Sequence, residues 1–241
     1  SRDGGVVTAR KVSDATGLKD NDYKRFARSG LSECMLGKAA IVVEGVTEFH
    51  AMPVVARRMA EGDPTLQPLD IAGVSFFDAH GESNIPKFGK FFKTLNLHTF
   101  AFYDLDHKKS RKPEVTRALA DNFEINVEHP YRGFEDLIVA EVPVDRLWAF
   151  LSGLKANDEN GNISIPDTRP PDETIKAIAR EALGGSNKGA GWSARLFEEC
   201  ELQELPVTVT KFLASVFALF PPPAAIDDEG EPLTGKVQDT P

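Results

Sequence analysis

The 241-residue sequence is 41% hydrophobic and 27% charged, which is typical of a soluble globular protein with a full core, and its formal net charge of −9 argues against broad nucleic-acid binding. It contains no apolar run of the roughly 18 residues that a membrane span requires. Its two cysteines, Cys34 and Cys200, do not have the spacing of a metal site, so the sequence predicts a protein of the reducing cytoplasm.

Strand and helix patterns alternate through the first half of the sequence. Four short runs rich in β-branched or aromatic residues predict strands at 39–43, 73–79, 98–104 and 124–129. Amphipathic runs between them predict helices, the first of them capped by Thr47 and distorted near Pro53. Because strands and helices alternate at short spacing, the sequence predicts an α/β fold with a parallel sheet.

The pattern becomes helical from residue 133 onwards. Amphipathic runs predict helices within 133–142, 143–156, 170–185, 193–200 and 209–220. We therefore expect an α/β domain at 37–141, a smaller all-helical domain at 142–220 and a flexible tail at 221–241, where proline, glycine and acidic residues dominate.

Two aspartates end the third predicted strand, in the sequence FAFYDLDHKK at residues 100–109. Asp104 and Asp106 are two residues apart, so their side chains point to the same side. Glu44 ends the first strand, and Glu48 follows it by about one helical turn, so both can face the same end of a parallel sheet. Four converging carboxylates repel one another, which predicts a site for a hard cation such as Mg²⁺ or Mn²⁺.

Basic residues surround these aspartates. Between residues 87 and 112 the sequence has seven Lys or Arg and only the two aspartates as acids, an excess that could attract a phosphate backbone to an otherwise acidic protein. The candidate DNA-binding residues are Lys108, Lys109, Arg111 and Lys112. The alternative interpretation is a solvated surface without a ligand.

The sequence has an apolar strand followed by Glu-Gly, then a βα unit, then an apolar strand that ends in D-x-D. This arrangement resembles the Toprim fold of topoisomerases, primases and related nucleases. Two longer strings, SECMLGKAAIVVEGVTEFHAMPVVA and GVSFFDAHGESNIPKFGKFFKTLNLHTFAFYDLDHKK, resemble the Toprim region of class 2-like overcoming-lysogenization-defect (OLD) nucleases. The resemblance covers most of residues 30–200. It implies a Toprim-type parallel sheet flanked by helices and followed by a smaller all-helical domain.

The resemblance also implies the surroundings of this region. OLD proteins carry an ABC-type ATPase before the nuclease half, and this sequence has no Walker A motif. We therefore expect residues 1–36 to be a linker from an N-terminal ATPase part. DNA is the implied substrate, a neighbouring helicase is a further implied partner, and defence against phage is the implied role.

Two more site residues rest on the resemblance. It implies a further carboxylate in the early helical part, for which Glu135 in GFEDLI is the candidate, and a lysine near the metals, for which Lys188 in GSNKGAG is the candidate. The implied reaction is two-metal hydrolysis of DNA, in which Glu44, Asp104 and Asp106 hold one ion and Glu48 and Glu135 hold the other. Ca²⁺ is expected to bind without supporting turnover.

Two alternatives remain open at this stage. The string FAFYDLDHKK also resembles the first motif of haloacid-dehalogenase-type phosphotransferases, in which the first aspartate is phosphorylated. However, that class has a small hydroxyl residue where this sequence has Lys108, and it leaves Glu44 and Glu48 without a role. The second alternative is a non-catalytic Toprim module that binds DNA.

Overall fold

A four-stranded parallel sheet forms the centre of the protein. The computed structural model describes residues 2–3, 6–7, 18, 20–105, 112–189 and 191–223. Two short strands, β1 (Arg2–Asp3) and β2 (Val6–Val7), pair antiparallel apart from the main sheet. The main sheet has the order β4-β3-β5-β6, all parallel, with β3 (Ala39–Val43), β4 (Val74–Asp78), β5 (His98–Asp104) and β6 (Ile125–His129).

Helices connect and follow these strands. Those before and between the strands are α1 (Asp20–Phe26), α2 (Ser32–Leu36), α3 (Val46–Gly62), α4 (Ile85–Thr94) and α5 (Pro113–Asn122). Those after the sheet are α6 (Phe134–Glu141), α7 (Val144–Ala156), α8 (Asp172–Leu183), α9 (Trp192–Glu199) and α10 (Val207–Phe217). The predicted parallel sheet with flanking helices and a helical continuation is therefore confirmed.

Alternating side chains of the central strands enter two separate apolar clusters. Ile41 and Phe102 face the cluster that contains α3 and the helices after the sheet. Val42 and Ala101 face the other cluster, which contains the phenylalanines of α4. Both faces of the sheet are covered, which explains why β3 is a continuous apolar run without polar alternation.

The start of α3 differs from the prediction. Gly45 occupies the N-cap position and the helix begins at Val46, so the expected cap by Thr47 is wrong. The Thr47 hydroxyl instead donates to a carboxylate oxygen of Glu135, 88 residues further along the chain. The helix includes Pro53 and continues to Gly62.

The helices after the sheet share one core with it. The cluster around Phe102 also includes Phe150, Leu196 and Phe212. The domain boundary at 141/142 stays a prediction, and residues 224–241 of the tail predicted at 221–241 lie outside the described residues. None of the helices in the described ranges is long and apolar enough to cross a membrane.

Candidate metal centre

Five of the predicted site residues lie at the carboxyl edge of the sheet. Glu44 directly follows β3, and Asp104 is the last residue of β5. Glu48 is in the first turn of α3, Glu135 is in the first turn of α6, and Lys188 is in the segment between α8 and α9. Because β3 and β5 are neighbouring parallel strands, their C-terminal carboxylates are adjacent.

Glu44 contacts the backbone of the neighbouring strand. Its Oε2 accepts a hydrogen bond from the Asp104 N–H at 3.2 Å. Burial, followed by the negative charge of Asp104, raises the pKa of Glu44 from 4.5 to about 7. The loss of solvation and the nearby aspartate therefore outweigh the hydrogen bond, and the ionised form of Glu44 needs further positive charge.

Glu48 is the most buried acid of the group, at 4% exposure. Burial and the charge of Asp104 raise its pKa to about 8, and Glu44 and Glu135 add smaller contributions in the same direction. Ionising a buried acid beside other acids costs free energy unless a cation binds close to it. A nearby positive charge would therefore favour the ionised form of Glu48.

Glu135 connects the acids to a lysine. It is 7% exposed, and its Oε1 accepts from the Thr47 hydroxyl at 3.2 Å and lies 3.1 Å from Lys188 Nζ. Burial acts to lower the pKa of Lys188, but Glu135, Glu48 and Asp104 act against it and leave this pKa above its ordinary value. Lys188 is therefore a charged ammonium at the rim of the carboxylate group.

His129 is a site neighbour that the sequence analysis missed. It ends β6 in register with Asp104, is fully buried, and has its Nε2 2.6 Å from Asp104 Oδ1. The contact is close but lacks the angular geometry of a hydrogen bond. The only sequence signal is that the fourth predicted strand ends in a histidine.

Asp78 is a second residue that the sequence analysis did not single out. It ends β4, is 2% exposed, and its Oδ1 accepts from the His80 N–H at 2.7 Å. Burial raises the pKa of Asp78. His80 Nε2 lies 2.6 Å from the Ser29 hydroxyl, so Asp78 belongs to a chain of contacts that ties the segment before β3 to this edge of the sheet.

A cleft of about 430 Å³ opens over Asp104, Glu135 and Lys188. Gly133 lines it, and a Cβ at this glycine would lie 3.2 Å from Glu135 Oε2 and 3.7 Å from Asp104 Oδ2. Two arginines also line it: Arg132 is exposed, and Arg180 forms an ion pair with Asp136. Buried Glu135 and exposed Arg132 thus line the same cleft, together with the exposed acid Glu181, so the cleft offers groups that can attract a cation and groups that can attract an anion.

Four predicted residues cannot be placed. Asp106, Lys108, Lys109 and Arg111 lie outside the described residues. Lys112 is exposed at the N-terminus of α5. The roles assigned to all of these residues stay predictions.

The donor set fits a hard divalent cation. Glu44, Glu48, Asp104 and Glu135 offer carboxylate oxygens, which Mg²⁺ and Mn²⁺ prefer. Within the described ranges no three such side chains form a closed ligand group. The carboxylates instead face protein groups: Glu135 faces Lys188, a contact that a bound metal would have to replace or reorient, and Asp104 faces His129 through Oδ1.

Comparison with solved structures finds C-terminal regions of OLD proteins that are similar to this chain. The chain is similar to the C-terminal region of the Xanthomonas campestris pv. campestris OLD protein, with 16% identity over 78% of this chain and 97% of that chain and a TM-score of 0.48. It is also similar to the C-terminal region of the Burkholderia pseudomallei OLD protein, with 16% identity over 76% and 98% and a TM-score of 0.48. No curated protein matches.

A family model gives the most specific result. The model of the TOPRIM domain of overcoming-lysogenization-defect-protein-like sequences matches residues 35–106. This range includes β3, β4 and β5 together with Glu44, Glu48 and Asp104. The expected Toprim-type fold is thereby confirmed, and residues 35–106 are similar to the TOPRIM domain of overcoming-lysogenization-defect-protein-like sequences.

Proposed function

We propose that this chain is a divalent-metal-dependent endodeoxyribonuclease that hydrolyses phosphodiester bonds of DNA by a two-metal mechanism. The observation that carries the proposal is the buried carboxylate group at the edge of the sheet, with Glu44 and Glu48 raised to pKa values of about 7 and 8. Acids with strongly perturbed pKa values are typical of functional sites, and Glu44 and Glu48 both lie near Asp104, which lines the cleft. The OLD-like TOPRIM match supports metal-dependent nuclease chemistry.

The carboxylates divide into two candidate ligand sets. Glu44 and Asp104, with Asp106, would hold one ion, and Glu48 with Glu135 would hold the other. Mg²⁺ or Mn²⁺ are the proposed ions, and Ca²⁺ is proposed to bind without turnover. When bound, such ions supply water activation and stabilisation of the leaving oxygen.

The basic residues of the cleft have a separate task. Lys188, whose Nζ lies 3.1 Å from Glu135 Oε1, is placed to stabilise the negative charge that develops on the phosphate in the transition state. Arg132 is exposed at the same cleft and can bind a non-reacting phosphate through its planar guanidinium. We also propose phosphate contacts for Lys108, Lys109, Arg111 and Lys112.

The direct test is plasmid cleavage. Wild-type protein and the Asp104→Ala and Lys188→Ala variants are incubated with supercoiled plasmid in Mg²⁺, Mn²⁺, Ca²⁺ or EDTA. We expect nicking or linearisation with Mg²⁺ or Mn²⁺ only, at least a hundredfold lower with either variant, because each removes charge from the reacting centre. Asp121→Ala, at an exposed position of α5, is the matched control and should retain full activity.

The same samples distinguish the alternatives. Cleavage that persists in Asp104→Ala would exclude this metal site. Absence of cleavage together with metal-dependent DNA binding would indicate the non-catalytic module. Hydrolysis of a small phosphate ester without DNA cleavage would indicate the phosphotransferase.

The remaining proposals concern the whole protein. We propose that an N-terminal ABC-type ATPase part precedes this region, that DNA is its substrate and that a helicase is a further partner. We also propose a cytoplasmic role in defence against phage. Co-purification with a neighbouring helicase and phage plating on cells with the Asp104→Ala protein would test these points.

A further inference from the structure

The buried histidine at the end of β6 has an unusual set of neighbours. His129 is 0% exposed, and within the described part of the chain neither of its ring nitrogens makes a contact with hydrogen-bond geometry. Its Nε2 faces a single acidic atom, Asp104 Oδ1, at 2.6 Å. Burying a polar ring with so few polar contacts costs free energy, so a buried histidine in this position calls for an explanation.

The register of the sheet and ring packing hold this histidine in place. Asp104 of β5 pairs with His129 of β6, so the two side chains are neighbours on the sheet. The imidazole packs against Phe102 and Tyr131, with ring centroids 5.1 and 6.0 Å away. The ring therefore has little freedom to turn away from the aspartate.

The two oxygens of Asp104 have different surroundings. An ionised carboxylate only accepts hydrogen bonds, so the Nε2–H form of the imidazole is the one that suits Oδ1. The other oxygen, Oδ2, lies on the side of Gly133, which lines the cleft. Asp104 Oδ1 thus contacts His129, whereas Oδ2 lies on the side of the cleft.

We propose that His129 is a positioning residue, which fixes the Asp104 carboxylate so that Oδ2 is presented to the divalent cation. This inference rests on the proposed function and assigns a role to a residue outside the carboxylate set. Groups that orient metal ligands without touching the metal typically change metal affinity 10–100-fold when they are removed. His129 is expected to act through Asp104 alone.

The test compares His129→Gln with His129→Met. Gln and Met are nearly equal in length and shape, and the Gln amide alone can donate to Asp104 Oδ1. His98→Met is the matched control, since His98 pairs with Glu124 at the opposite end of β5. If His129→Met does not fold, it is replaced by His129→Asn, because the shorter Asn amide does not reach Asp104 Oδ1.

The readout is Mn²⁺ affinity from calorimetry, together with the Mn²⁺ concentration that gives half-maximal plasmid cleavage. We expect His129→Met to weaken Mn²⁺ binding at least 10-fold, His129→Gln to restore most of the loss, and His98→Met to have no effect. In an Asp104→Asn background, His129→Met should cause no further loss, because the residue through which it acts is already altered.

Two outcomes would overturn the inference, and they are distinct from failure of the nuclease. If His129→Met weakened Mn²⁺ binding equally in the wild-type and the Asp104→Asn backgrounds, His129 would be a general structural residue that does not act through Asp104. Unchanged Mn²⁺ affinity in His129→Met would mean that Asp104 needs no such support. Wild-type protein that binds no Mn²⁺ would instead overturn the proposed function, and this inference with it.

Discussion

At the scale of the residue, burial has a larger effect than hydrogen bonding on the acids of the site. Burial is the largest cause of the raised pKa for both Glu44 and Glu48, and the charge of Asp104 is the second. The one hydrogen bond that Glu44 accepts from the Asp104 N–H does not compensate. Such acids are partly protonated near neutral pH unless a cation is present.

The raised pKa values predict how the stability of the metal-free protein changes with pH. Glu48 binds its proton more tightly when folded, so its stabilising contribution is complete below pH 4.5 and is lost as the pH rises to about 8. Glu48→Gln does not titrate and should be more stable than wild type at pH 8 by at least about 1.4 kcal/mol, the equivalent of one pKa unit.

Denaturant unfolding in EDTA at pH 5 to 9 measures this difference. Glu114→Gln, at an exposed position of α5, is the control and should follow wild type at every pH. Wild-type and Glu48→Gln stabilities that remain parallel across the range would contradict the assigned environment. Added Mn²⁺ should stabilise wild type at pH 8 more than Glu48→Gln, because the metal binds the ionised acid.

At the scale of the element, amphipathic patterns located the helices, and close contacts limit what each helix tolerates. Phe88, Phe91 and Phe92 lie on the apolar face of the amphipathic helix α4, and all three are fully buried. The pattern could not show that Gly89 lies under a neighbouring ring. A Cβ at Gly89 would lie 2.3 Å from Phe123 Cζ.

This contact predicts opposite effects for two Gly→Ala substitutions in helices. Gly89→Ala should destabilise the protein by about 1–3 kcal/mol, because the added methyl displaces the Phe123 ring. Gly153→Ala in α7 should stabilise it by about 0.5–1 kcal/mol, because no atom lies within 4 Å of the new Cβ. Thermal unfolding of both variants checks this, and a stabilising Gly89→Ala would show that the ring moves freely.

At the scale of the whole molecule, the helices after the sheet complete the core of the TOPRIM region. Phe212 of α10 is 2% exposed, and its ring lies 5.2 Å from that of Phe102 in β5. Helix α9 also joins the cluster through Leu196 and Phe197. The same helical part supplies Lys188 to the site, so the cleft depends on this packing.

The shared core predicts cooperative unfolding. Phe212→Ala should lower the free energy of unfolding by about 3–5 kcal/mol and should reduce hydrogen-exchange protection in β3 and β5 as well as in α10. Leu219→Ala, at a side chain with 47% exposure, is the control and should change little. Unchanged protection of the sheet amides in Phe212→Ala would show that the helical part folds as a separate unit.

The sequence by itself determined the strands, most helices and the carboxylates at the strand ends. The strands and helices depend on local periodicity. The position of Glu44 and Asp104 at one edge of the sheet follows from the residues at which two parallel strands end. Glu135 and Lys188 required the family resemblance, because nothing in their local sequence distinguishes them from surface charges.

Only the tertiary structure decided which groups face these acids. The register of β5 and β6 brings His129 to Asp104, and the fold brings the start of α3 to the start of α6, where the Thr47 hydroxyl donates to Glu135. The segment after α8 returns Lys188 to Glu135 across 53 residues of chain. Such contacts join residues distant in sequence, so they depend on register and helix packing, which no local pattern encodes.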